Sequence, residues 1–125
     1  MAIAAVSISP VGSGVSVSRY VAAAIAVLEA QHRVRWQLDS MFTTLEGDPA
    51  DLFAVIAAMQ EAVFASGAVR VGTVIKMDER RDRPAVRMED KVRAVEARLA
   101  SRAASGGSGG PPEPSEEPTG KSSFK

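Results

Sequence analysis

Ser7 and Ser9 stand two residues apart in a run that is otherwise apolar or small, Ala2 through Val11, so on an extended strand they share a face. A hydroxyl on an apolar strand needs a hydrogen-bond partner, and a bound small molecule is one such partner. Neighbouring backbone or water is the plainer alternative. Further along, Gln37 offers a donor and an acceptor, Trp36 a flat apolar wall, and Met41, Thr43 and Thr44 follow within a few residues. Trp36 serves equally well as a core or interface residue. Apolar walls with a few placed polar groups are the usual make-up of a small-molecule pocket.

Catalytic chemistry finds little to work with. The chain has no cysteine, one histidine (His32) and no Gly-x-Ser-x-Gly turn, so no nucleophile has an identifiable base. Glu46 and Asp78 can act as acid and base only if the fold brings them together. Glu46 and Asp48 beside a turn are too few to hold a divalent cation, and Asp48 before Pro49 reads better as a helix cap. Gly12-Ser13-Gly14 is a weak anion-binding signal without a following lysine. His32 reads as a favourable charge at a helix end. The expectation is a protein that is not an enzyme, with no catalytic or metal-ligating residue and no cofactor.

The 125 residues are 46% hydrophobic and 24% charged, with fifteen basic and fifteen acidic side chains. Zero net charge argues against a nucleic-acid binder. The run Lys76 to Arg93, with seven basic and five acidic residues, reads as a solvated, ion-paired connector in which Arg80, Arg81 and Asp82 can pair across a two-fold axis. No apolar run is long enough for a membrane span, and the opening residues lack the basic start of a signal peptide, so a cytoplasmic protein without membrane contact is expected.

The elements that must position these residues follow from periodicity. Ala2 to Val11 alternates as a strand and stops at Pro10 and Gly12. Ser18 is placed to cap a helix over Arg19 to Gln31, with Val21, Ala24, Ile25 and Leu28 on one face. Val34 to Asp39 and Phe42 to Glu46 read as two strands of a hairpin through Ser40 and Met41. Leu52, Val55, Ile56, Met59 and Val63 mark a second helix that Gly67 terminates. Val69 to Asp78 is the clearest strand, and Met88, Val92, Val95 and Leu99 form the seam of a last helix. The order predicts an α+β fold, a ferredoxin-like βαββαβ sandwich with an extra C-terminal helix, over residues 1–104. Two helices cover one sheet face. Val74, on the opposite register from Ile75, implies that the other face is covered too, by the last helix or, as the small size favours, by a partner subunit. Residues 105–125, rich in Gly, Pro and Ser, read as a disordered tail.

Four stretches also resemble a known family. They are Ser7-Ile8-Ser9-Pro10-Val11-Gly12, then Ser18-Arg19-Tyr20-Val21-Ala22, then Trp36-Gln37-Leu38 through Met41 to Thr43-Thr44-Leu45-Glu46-Gly47-Asp48, and lastly Arg70-Val71 with Thr73 to Asp82. In this order, over about residues 2 to 100, they are similar to the MTH1187/YkoF-like, or thiamine-binding protein, family. The resemblance implies a ferredoxin-like fold, self-association as dimer or tetramer, and binding of thiamine or a related pyrimidine without established catalysis. On that reading Ser7, Ser9, Trp36, Gln37, Met41, Thr43 and Thr44 are the expected ligand contacts. The chain departs from the family at Asp39-Ser40-Met41-Phe42, where Thr-Pro-Met-Gly is common. Phe42 puts a ring where bare backbone is usual, and Asp39 adds a charge suited to a thiazolium cation. Two other readings remain: a structural or regulatory oligomer whose pocket Phe42 has closed, and an enzyme acting on a pyrimidine through a carboxylate in a cleft.

Overall fold

The computed structural model describes residues 1–83 and 87–105. The elements are β1 (Ala2–Pro10), α1 (Ser18–Glu29), β2 (Arg35–Leu38), β3 (Thr43–Gly47), α2 (Pro49–Ala65), β4 (Val71–Glu79) and α3 (Met88–Ser105). The expected tail begins inside α3, at Ser105, and otherwise lies outside the described residues. So does the part of the charged connector at 84–86.

All four strands pair antiparallel in the order β2-β3-β1-β4, the βαββαβ arrangement expected. Strand alternation sends Ala2, Ala4, Val6 and Ile8 of β1 to one face, where they are buried beneath α1 and α2. The small alanines let the helices approach closely, and Leu45, Leu52 and Val63 fill the space between. All five residues of the α2 stripe are buried. On α1 the buried set is Tyr20, Ala24, Ile25 and Leu28, with Val21 only half-buried. Tyr20 is held there because its hydroxyl accepts a hydrogen bond from Arg19, whose guanidinium also donates to the Ser66 carbonyl and lies over the ring.

The helix ends correct the sequence reading in detail. Ser18 is already helical; Val17 occupies the cap position and no side chain caps α1. Asp48 does precede Pro49 at the start of α2, but caps with its backbone carbonyl alone. At the other end of α1, His32 lies beyond the helix and exposed. Gln31 does the work there: its amide donates to the Leu28 and Val34 carbonyls and accepts from the Val34 N–H. Gly67, with φ +111°, takes the backbone turn after α2 that other residues resist.

The second sheet face carries Ile3, Ala5, Ser7 and Ser9 of β1, Thr44 and Glu46 of β3, Arg35 and Gln37 of β2, and Val74, Lys76 and Asp78 of β4. α3 reaches it through Met88, Glu89 and Lys91, and Val92 and Arg93 border a cavity there with Gln37 and Thr44. The expected seam therefore divides: Met88 is buried, whereas Val92, Val95 and Leu99 are 58%, 58% and 57% exposed. Val74 is exposed as well. Within one protomer this face is open over β1 and β4.

Leu45, with no exposed surface, sits where the sheet meets both helices. Leu45→Ala should lower unfolding free energy by about 3 kcal/mol in a urea titration. A loss under about 1 kcal/mol would contradict this placement of the core.

Candidate functional site

β1 runs to Pro10, but its pairing with β3 stops at Val6 opposite Thr43. The chain turns away through the 39–42 hairpin, which the Asp39 N–H closes by donating to the Phe42 carbonyl. On its other side β1 stays paired with β4 as far as Pro10. The β3-side edge of β1 over Ser7 to Ser9 is thus left without a strand neighbour, and its backbone groups are available there.

This open edge borders a cavity of about 300 Å³ between the sheet and the helices. Val6 and Ile8 come from β1, Val17, Val21, Ala24 and Ile25 from α1 and its approach, and Met59 from α2. The hairpin closes the side with Leu38, Asp39, Met41, Phe42 and Thr43. The walls are apolar, and Asp39 is the only charged residue among them. Phe42, 37% exposed, forms part of the wall and leaves the cavity beside it.

Of the seven expected contacts, Ser7, Ser9, Met41 and Thr43 come together here. Ser7 and Ser9 alternate with buried Val6 and Ile8, so their side chains point to the opposite face and they meet the cavity along the strand edge. Gln37 and Thr44 lie on that opposite face, in a second cavity of about 410 Å³ with Asp39, Met88, Glu89, Val92 and Arg93. Trp36 lines neither; it packs half-buried against the core. Asp39 lies on the rim of both cavities, and apart from Met41, Phe42 and Thr43 the non-β1 lining of the first was not proposed as a site from sequence. The signal for it was ordinary core periodicity, which does not distinguish a packed core from a cavity.

Glu46 is the buried charge of the molecule's described part, with a side chain 1% exposed. It accepts hydrogen bonds from Arg35 Nη1 at 3.0 Å and from the Met88 N–H at 2.7 Å. Arg35 continues to Glu89 at 2.6 Å, and Lys91 pairs with Asp78. These contacts fasten the first turn of α3 to the sheet. They also separate the two carboxylates suggested as an acid–base pair. Glu46 and Asp78 flank Ile3 from strands on either side, roughly 10 Å apart by strand spacing, and each is engaged by a cation. Within the protomer Arg80 pairs with Asp82 and Arg81 with Glu79, all at the end of β4. Among the described residues no three His, Cys, Asp or Glu side chains stand together as a metal site would need. No described helix is long and apolar enough to cross a membrane.

The chain is an α+β protein with a ferredoxin-like sheet and an apolar cavity at the open edge of its first strand, and comparison with known proteins gives the family. The family model described as thiamine-binding protein matches residues 4–96. The UPF0045 protein YqgV of Bacillus subtilis is 45% identical over 103 residues, covering 79% of this chain and 98% of the relative. A crystal structure of the hypothetical protein MJ1052 from Methanocaldococcus jannaschii superimposes with a TM-score of 0.69 at 34% identity, covering 76% of this chain and 95% of that one. A Thermotoga maritima protein provisionally assigned to thiamine biosynthesis or salvage shares the fold, with a TM-score of 0.64 at 14% identity over 75% of this chain and 97% of that one. The chain belongs to the thiamine-binding protein (UPF0045) family.

The charge pairs give α3 a pH dependence. A hydrogen bond from Arg35 holds the Glu89 carboxyl below its ordinary pKa, and one from Lys91 does the same for Asp78. Groups whose pKa is depressed on folding stabilise the folded form above their unfolded values and lose that contribution as pH falls through the folded ones. Below about pH 4 the α3 amides should therefore lose hydrogen-exchange protection before those of α2. Equal loss in the two helices would contradict this. Separately, Glu46→Ala should cost about 2 kcal/mol of stability in a denaturant titration, because it removes two charge-assisted hydrogen bonds from a buried position.

Proposed function

We propose that this protein binds thiamine or a related aminopyrimidine in the cavity between β1, α1 and the 39–42 hairpin, without catalysing a reaction on it, and that it works as a homo-oligomer, a dimer or tetramer. The observation that carries the ligand reading is the open edge of β1 inside an apolar cavity. An aminopyrimidine presents an in-plane amine donor beside a ring-nitrogen acceptor. A free strand edge offers the matching carbonyl and N–H groups. The apolar side chains of α1 and the hairpin, Phe42 included, suit the faces of a flat ring.

Asp39 adds a preference. It is the single charged lining residue, and among the described residues it has no cationic side chain within 4 Å. A carboxylate at the mouth of an apolar cavity favours a cation such as thiazolium and opposes the phosphates of thiamine esters. The cavity volume is at the small end of the range for ligand sites, so a compact ligand suits it. Membership of the thiamine-binding family supports the same reading.

Thermal melting in the presence of thiamine tests it. At one hundred times its dissociation constant a ligand adds about 2.7 kcal/mol, enough for a rise in Tm of several degrees. Thiamine should raise Tm more than thiamine diphosphate, and Asp39→Asn should narrow the difference. No shift with thiamine or with hydroxymethylpyrimidine at millimolar concentration would overturn the reading. If wild type is silent while Phe42→Gly responds, the closed-pocket oligomer takes its place.

A further inference from the structure

In an antiparallel ladder the peptide groups of successive residues point to opposite neighbours, so one hydrogen-bonded pair sets the direction of all the others. Just past β1 the Val11 N–H donates at 2.8 Å to the carbonyl of Arg70, the residue opposite it in the register. Two and four residues earlier, Ser9 with Gly72 and Ser7 with Val74 are therefore hydrogen-bonded pairs as well. The N–H and C=O groups of Val6 and Ile8 and the C=O of Pro10 point the other way, toward β3. The hairpin gives the same parity independently. The Asp39 N–H donates to the Phe42 carbonyl, so Phe42 and Thr44 turn their peptide groups to β2, while Thr43 turns to β1 and exchanges hydrogen bonds with Val6. Ile8 comes next on that side of β1, and β3 has no residue left to meet it. Ile8 is 8% exposed and lines the cavity, and among the described residues its outward N–H and C=O have no partner. Buried peptide groups are so costly to leave unpaired that nearly all find a partner.

We propose that the Ile8 peptide groups are the recognition pair of this site: the N–H donates to a ring nitrogen of the ligand and the C=O accepts from the amine beside it. This deepens the reading given under Proposed function and rests on it, and it names the ligand class. The class is planar rings with an acceptor nitrogen next to an amine, the order found on the edge of a 4-aminopyrimidine. A 4-oxo pyrimidine reverses that order. Its ring N–H would meet the Ile8 N–H and its carbonyl the Ile8 carbonyl, two repulsions in place of two attractions. Val6 is already paired with Thr43, and Pro10 has no N–H, so Ile8 alone on this edge offers a free donor and a free acceptor together. An extended peptide would find one residue to pair with, too few for strand addition, whereas a small planar ring needs no more.

Calorimetric titration with thiamine and with oxythiamine, its 4-oxo analogue, tests the pair. Thiamine should bind about tenfold tighter or better, the difference expected of a matched against a mismatched pair of hydrogen bonds. Amide hydrogen exchange followed by NMR gives a second readout that needs no variant. In the free protein the Ile8 amide should exchange faster than those of Ser7 and Ser9, which β4 holds, and saturating thiamine should slow it to match them. Absence of thiamine binding would overturn the binding reading and this inference with it. Thiamine binding with oxythiamine equally tight, or with the Ile8 amide left unprotected, would overturn the recognition pair alone.

Discussion

A four-stranded sheet has two faces, and two helices can dry only one of them. The open second face and the placement of the last helix follow from that constraint. The face under α1 and α2 is a conventional core, closed by alanines on β1 that admit the helices and by leucines that fill the gaps. The opposite face is governed by a single buried carboxylate. Glu46 would be costly to desolvate alone. It is tolerated because Arg35 and the Met88 N–H both meet it, and in doing so they fix where α3 begins. The position of the last helix is thus set by polar contacts in its first turn, and most of its apolar stripe stays exposed.

The cavity arises from a second local mismatch. β1 is nine residues long and β3 is five, so the inner strand outruns its neighbour. In a longer hairpin the gap would be filled by strand pairing. Here the chain leaves the sheet through Asp39 to Phe42, and Asp39, Met41 and Phe42 wall the opening. Phe42 therefore adds an apolar surface to the cavity without occupying it, and Asp39 gives the mouth its sign.

How much of this was legible beforehand depended on the kind of signal. The α2 stripe and the alternation of β1 and β4 are periodic, and periodicity reports burial against one's own chain, so the fold was readable. The seam on α3 has the same periodicity, but periodicity does not say which molecule supplies the other side. In the folded protomer Met88 is the one residue of that seam that is buried. Glu46 was noted in the sequence, but its burial and its role in anchoring α3 were not legible, because its partner Met88 is 42 residues away. The site was half legible. Ser7, Ser9, Met41 and Thr43 do converge, whereas the parity that puts Thr43 toward the helices puts Gln37 and Thr44 on the reverse side. Trp36 shares Thr43's face but packs against the core, as an aromatic ring on a strand most often does.

The account stands or falls on what occupies the open edge of β1. The most direct measurement is a titration of isotopically labelled protein with thiamine, followed amide by amide in two-dimensional NMR. The backbone signals of Ser7 to Ser9 and of residues 39–43 are expected to move together and saturate, with Gln37 and Thr44 little affected. Saturating shifts confined to Gln37, Thr44 and the start of α3, or no shifts at all, would contradict it.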